Sequence, residues 1–306
     1  MAVNLAAEQA LLLPGLFKVE GLYKEIPAVH KQVFTTRKSN MALERAVTMR
    51  YLGNAQYKTE GGPTAADNSA GQRYTWSITH SEVGLMYAIT RKAIEDNLYK
   101  DEFTPTNLGL NKSFAVFKET VAANVLNNGA TADPTLGGDQ VALFSTAHPA
   151  DTVGTWANTF STNQSLNESS LINGQTNIRT VFVDEAGLKI RARAKKLLIP
   201  PQLEAVARRL LRSDLRPGSA NNEPNVITDI HGGSLSTEYI TWDYLSSAYA
   251  WFLLTDVDGL IHFERIPYEM DMQVDFTSDN LLVKAYERYS FNYIDPRAAY
   301  GTYPTS

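Results

Sequence analysis

Between two runs of strand-forming residues lies TEGGPTAADNSAGQRY, from Thr59 to Tyr74. It is small, polar and rich in glycine. A structureless connection of this length is uncommon inside a compact domain. The flanks, AVTMRYLGNAQYK and RYTWSITHSEVGLMYAIT, are rich in Thr, Tyr, Trp, Val and Ile. In the second, Tyr74, Trp76, Ile78 and His80 alternate with Thr75, Ser77 and Thr79. The pattern predicts a long two-stranded hairpin. Its tip, with Gly61, Gly62, Pro63, Asn68 and Gly71, buries too little in its own chain to offset the entropy of ordering it. A loop this soft between strong strands is tolerated where a partner orders it, so the tip is a candidate contact between copies of the chain. A phosphate-binding role does not fit, because GGPTAADNSAGQ lacks the Gly-Lys-Ser/Thr ending and no GxGxxG occurs.

The first forty residues have an apolar cluster (Leu11, Leu12, Leu13, Leu16, Phe17) and no sustained period, which reads as an arm lying along another surface. TRKAIEDNLY predicts a helix capped by Thr90. After Pro105, the residues Leu110, Phe114, Phe117, Val121 and Val125 make one apolar stripe on a helix of several turns. Asn127, Asn128 and Gly129 would end it with a left-handed cap. A loop-rich stretch runs to about Asn167, and LNESSLINGQTNIRTVFV reads as a helix. GLKIRARAKKLLIPPQLEAVARRLLRS reads as a strand, a Pro-Pro stop and a helix. YITWDYLSSAYAWFLLTDVDGLIHFERI reads as strands around an Asp258-Gly259 turn. In the last strand Val283, Ala285, Glu287, Tyr289 and Phe291 alternate with Lys284, Tyr286, Arg288 and Ser290.

Several chemistries are excluded. The chain has no cysteine, so thiolate metal sites, disulfides and cysteine nucleophiles are absent. None of the 5 histidines sits at a metal-binding helical spacing, and no cofactor motif is present. TDVDGLIHFE fails as a calcium loop, because with Gly259 at the sixth position the first and twelfth fall on Leu254 and Arg265. The start has no basic residues before its apolar patch, and Glu8 and Pro14 interrupt it, so it is a poor signal peptide. No apolar run approaches the ~20 residues that span a bilayer. Ser145 and His148 in ALFSTAHPA are the nearest approach to a catalytic pair.

Charge is more informative than catalysis. The formal net charge is -5, which argues against a dedicated nucleic-acid binder but leaves room for a local basic face. Lys189, Arg191, Arg193 and Lys195 alternate with Leu188, Ile190, Ala192 and Ala194, predicting one cationic strand face. Arg208, Arg212 and Arg216 would add a helical stripe. Between Leu254 and Asp279 the balance is acidic, with only Arg265 opposing. A basic surface docking on an acidic one in a neighbour, or facing nucleic acid, accounts for both segments; two ordinary solvated faces would too.

ALFSTAHP, KKLLIPPQLEAVARRLL, AWFLLTDVDGLIHFERIPYEM and LLVKAYERYSFNYIDPRAAYGT, in that order, resemble the major head (capsid) subunits of tailed bacteriophages, and the Mu-like group above others. The resemblance covers most of the chain from about Met41. It implies an α+β capsid fold named after phage Hong Kong 97. Its parts would be an N-terminal arm (1–45), an extended β-loop (46–88), a peripheral domain with a spine helix (89–136 and 265–306) and an axial domain (137–264). It further implies no enzyme activity, no cofactor, and self-assembly into pentamers and hexamers of a shell around double-stranded DNA. The implied partners are a separate scaffolding protein (or else a scaffold extension already cleaved off), a portal and the packaged DNA held by non-specific electrostatics, with no membrane. Its place would be the virion, after assembly in the host cytoplasm. The rivals are another phage structural protein, such as a tail-tube or decoration subunit, and a hydrolase built on Ser145 and His148.

Overall fold

The computed structural model describes residues 28–95, 99–133, 135–150, 154–216, 223–227 and 229–305, with backbone alone over 99–105. The N-terminal apolar cluster therefore lies outside the described residues. In chain order the elements are α1 (His30–Val33), β1 (Thr35–Lys38), β2 (Leu43–Arg50), β3 (Gly71–Thr79), β4 (Ser81–Ile89), α2 (Arg91–Glu95) and α3 (Tyr99–Asn127). Next come β5 (His148–Ala150), β6 (Gly154–Trp156), α4 (Glu168–Val181), β7 (Ala194–Ile199) and α5 (Glu204–Arg212). The last are β8 (Tyr239–Thr241), β9 (Trp251–Thr255), β10 (Leu260–Val274), β11 (Leu281–Tyr293) and β12 (Ala299–Thr302). The fold is mixed α+β.

Two four-stranded sheets carry the body, ordered β1-β10-β11-β4 and β12-β9-β7-β8. Strand β11 follows its sequence alternation: Val283, Ala285, Glu287, Tyr289 and Phe291 are all buried. Its long partner β10 bends at two register shifts, between Glu264 and Ile266 and between Ile266 and Glu269. Pro267 sits in the second, where a missing ladder donor does least harm. Strands β9 and β10 do not form a hairpin through Asp258-Gly259, contrary to the sequence expectation; they belong to different sheets. Gly259 is required by crowding, since a Cβ there would meet Asp295 O at 2.3 Å.

Helix α3 packs across the first sheet, but not by the expected stripe. Leu110 and Phe114 are buried and close on Tyr268 and Ala285, whereas Phe117 is 48% exposed. The buried line runs through Phe114, Lys118, Ala122 and Leu126. Lys118 can be buried because its Nζ lies 2.5 Å from Glu287 of β11 and 4.8 Å from the Tyr289 ring centre. Glu119 is buried with it. Its Oε1 is 2.7 Å from His30 Nδ1, and its Oε2 accepts from Trp242 Nε1 at 2.8 Å. Paired charges thus take core positions that hydrophobicity alone assigns elsewhere. Gly129 closes the helix without a left-handed cap; a Cβ there would meet Phe144 at 2.6 Å.

A second core gathers Trp156, Phe160, Leu171, Ile178, Phe182, Leu197, Ile199, Trp251 and Leu253 around β7, β9 and α4. The start of α4 is fixed by Asn167, whose side chain accepts from Ser170 N at 2.8 Å while Ser170 Oγ accepts from Asn167 N at 3.0 Å.

Candidate interaction surfaces

The hairpin is present, with changed boundaries. Strands β2 and β3 pair from Leu43 opposite Thr79 to Arg50 opposite Gly71. The second sequence run breaks at His80, and its remainder becomes β4, which pairs with β11 instead. Gly71 is therefore strand rather than tip, and Tyr51–Lys58 leave the strand. The connection spans residues 51–70, longer than expected.

That connection has local order of its own. Gly62 N donates to Thr59 O at 3.0 Å, and Gly61 supplies the left-handed φ of 73° that this turn needs. Asp67 accepts from Gly53 N at 2.8 Å, from Ser69 N at 2.9 Å and from the Ser69 hydroxyl. These bonds, the Ser69 hydroxyl foremost, lower its carboxyl pKa to about 2. Pro63 and Asn68 are exposed. The apolar members stand in solvent: Tyr51 is 69% exposed, Leu52 57% and Tyr57 fully, with Val47 and Met49 beside them on β2. A projecting element that carries exposed apolar side chains marks an interaction surface.

The root of the hairpin is rigid. Trp76 is 3% exposed and packs edge-on to Tyr293 at 5.4 Å. The backbone of 136–138 clasps β3 here: Ser77 N donates to Leu136 O at 2.7 Å and Gly138 N to Thr75 O at 2.9 Å. Gly137 and Gly138 both have positive φ, and a Cβ on Gly138 would lie 2.5 Å from the Trp76 ring. Beside this clasp, Glu185 is shared by two arginines. Its Oε1 accepts from Arg297 Nη2 at 2.9 Å, and its Oε2 forms an ion pair with Arg73 Nε at 3.0 Å that lacks hydrogen-bond alignment. Arg297 also donates from Nε to Val183 O at 2.7 Å and lies 4.6 Å over the Trp156 ring. Its pKa is raised despite burial, which pulls it down, because Asp295 and Glu185 hold its charge. One carboxylate thus ties the hairpin (Arg73), the turn after α4 and the C-terminal segment together. Sequence reasoning missed this network, because its charges are isolated and far apart in the chain. The adjacent glycines 137 and 138 were the available signal for the clasp.

The basic residues divide into two groups. Lys189, Arg191, Arg193 and Lys195 are exposed and alternate with part-buried Ile190 and buried Ala192 and Ala194. Only Lys195 lies in β7, however, because the strand begins at Ala194. Arg193 is held by its backbone, which donates to Asp256 Oδ1 at 2.8 Å. Arg208 and Arg212 lie on α5, but Arg216 is beyond its end, so no three-residue helical stripe exists. Arg212 pairs with Glu238 at 2.6 Å, and Arg216 with Glu168 and Glu223 at 2.9 and 3.0 Å. In the acidic segment Asp258, Asp271 and Asp279 already have ion-pair partners in their own chain: Arg37, Lys284 and Arg91.

Ser145 and His148 do not make a nucleophile–base pair. His148 is fully buried and stacked on Trp156 at 4.5 Å. Its Nδ1 is 2.7 Å from Asp139 Oδ2 and its Nε2 is 3.1 Å from Asn158 Oδ1, so both ring nitrogens are taken. Ser145 Oγ accepts from Ala147 N at 3.1 Å in a turn. Among the described residues no group of His, Cys, Asp or Glu is placed to hold a metal ion, and no helix is long and apolar enough to cross a membrane.

The profile of a family described as phage capsid protein matches residues 76–302. No curated protein sequence matches the chain. Among solved structures, the chain is similar to the asymmetric unit of the bacteriophage PhiM1 mature capsid, with a TM-score of 0.55 and 12% identity over 92% of this chain and 88% of that one. It is similar to the capsid of the native GTA particle, with a TM-score of 0.54 and 10% identity over 90% and 89% of the two chains. A structure from Microbacterium phage Oxtober96 gives 0.52 and 14% identity over 90% and 91%. At such identities the likeness is one of fold.

Proposed function

The chain belongs to the phage capsid protein family, and from that premise we propose that it is the major head subunit of a tailed bacteriophage or prophage, of the Mu-like group and the Hong Kong 97 type. It is a structural protein, not an enzyme. In the proposed reading, copies form pentamers and hexamers that close into an icosahedral shell around double-stranded DNA. Scaffolding and portal proteins are supplied separately, and assembly takes place in the host cytoplasm.

The observation that carries the reading is the hairpin. A two-stranded ribbon whose connection carries exposed Tyr51, Leu52 and Tyr57 extends from a root fixed by a tryptophan, two glycines and a buried ion network. A monomer gains nothing from such a build, whereas a shell subunit can lay the ribbon across its neighbour. We assign residues 46–88 to this extended loop, although its last strand, β4, pairs with β11 in the first sheet; 89–136 and 265–306 to the peripheral domain, although β12 joins the second sheet beside β9; and 137–264 to the axial domain. The second core around β7 and β9 falls within 137–264 apart from Tyr300, which supports the last division. Residues 1–45 remain assigned as the arm, although its described part, α1 and β1, lies on its own chain, with β1 parallel to β10.

The test is deletion of Tyr51–Ala70, with Arg50 and Gly71 joined by a short turn. Circular dichroism should show a folded chain, and sedimentation should show shells lost or fragile. Robust shells from the deletion variant would remove the hairpin from the assembly contact.

A further inference from the structure

We infer that Lys189, Arg191, Arg193 and Lys195 form a row that binds the phosphate backbone of double-stranded DNA without sequence preference, an inference that rests on the capsid reading and locates its nucleic-acid contact. Four features carry it. The first is exposure: Ile190 is part-buried and Ala192 and Ala194 are buried, while the four cations between and beside them are exposed. The row runs into the start of β7 and ends at Lys195, in the bulge where Ala194 and Lys196 stand opposite the consecutive Thr255 and Leu254. The second is that none of the four side chains has an ion-pair or hydrogen-bond partner among the described residues, whereas Arg212 and Arg216 are spent on Glu238, Glu168 and Glu223. The third is anchorage: Asp256 takes the Arg193 N–H at 2.8 Å and returns its own N–H to Arg193 O at 3.1 Å, holding the row against the second sheet. The fourth is local field. Burial lowers the pKa of His231 most, and Arg179 and Arg193 lower it further, so both cations act on that one ring.

An acidic face on a second copy of the chain is the competing occupant. The acidic segment is a poor match, because Asp258, Asp271 and Asp279 are already paired and Asp256 is bound to the row itself. A polyanion, which brings several phosphates to four exposed cations whose side chains have no partner among the described residues, fits the row better. Each neutralised phosphate steepens the fall of log K against log salt by about 0.9, so four contacts lose roughly a hundred-fold in affinity between about 50 and 200 mM salt.

The experiment is binding of the full chain to a random-sequence duplex of about 30 base pairs across that salt range. The variant Lys189→Gln, Arg191→Gln, Arg193→Gln, Lys195→Gln should reduce the slope by about 3 to 4. Arg212→Gln with Arg216→Gln should leave it almost unchanged. Circular dichroism checks the fold. If the fourfold variant is insoluble, Arg191→Gln with Lys195→Gln carries the test and should remove about half of the effect. A variant with wild-type DNA slope would overturn the proposal, the more so if its sedimentation showed lost self-association, because the row would then face another subunit. Wild-type chain that never forms particles, yet shows the slope difference, would refute the shell and support the row.

Discussion

Glu185→Gln tests whether the hairpin root is locked. The substitution keeps shape and removes the charge shared by Arg73 and Arg297. All three side chains are largely buried, at 15% exposure for Arg73, 8% for Glu185 and 7% for Arg297. Removing one partner of a buried ion pair typically costs about 3–5 kcal/mol, because the other charge is left uncompensated. The low end applies, near 3 kcal/mol: Arg297 retains Asp295 at 3.2 Å and Val183 O, and Arg73 lies 4.9 Å over the Tyr74 ring centre. Thermal unfolding of the soluble subunit should shift down by several degrees. Hydrogen exchange should show faster opening of residues 71–79, which a loss of stability elsewhere in the chain would not produce. Adding Arg73→Gln should restore part of the loss, because the pair is then removed together. A melting curve within about one degree of wild type, with the hairpin still protected, would mean that the network does not hold the root.

Three further outcomes are expected. Burial lowers the His262 pKa from 6.5 to about 3, so the folded state disfavours its protonation; the stabilising term is complete above about pH 6.5 and is lost as pH falls toward about 3. The unfolding free energy from denaturant titration should fall by roughly 2 kcal/mol between pH 7 and 5, and His262→Gln should remove most of that slope, leaving the smaller parts due to His80 and His231, which burial also lowers. Phe114→Ala should cost ~3–5 kcal/mol in subunit stability and Phe117→Ala less than about 1, measured by urea unfolding; equal losses would contradict the packing of α3. Gly138→Ala should destabilise the subunit, because its φ of 64° is strained for alanine and the new methyl meets Trp76; an unchanged unfolding curve would argue against the clasp.

The parts legible in the sequence were those fixed by local patterning. Strand β11 shows its alternation except at Ser290, which is buried against His80, Asn167 and Ser170 cap α4 near its expected start, and Thr90 accepts from Ala93 N at the head of α2. The hairpin was readable from its β-rich flanks and glycine-rich connection. What failed depends on tertiary pairing. Phe117 and Lys118 differ by one helical position, and apolarity favours burying the phenylalanine; Glu287 and Tyr289 reverse that choice. Asp258-Gly259 resembles a hairpin turn, but its strands cross between sheets, which no local signal states. The root network joins Arg73, Glu185 and Arg297, and nothing in the chain order brings these residues together.

The central claim is that this chain closes into shells, and electron microscopy of the overexpressed, purified chain tests it most directly. Closed particles whose walls resolve into five- and six-fold clusters, with each hairpin lying over an adjacent subunit, are the expected result. Open tubes would assign the chain to a tail structure. Monomers that persist at every protein and salt concentration, with the scaffolding protein co-expressed, would contradict the account.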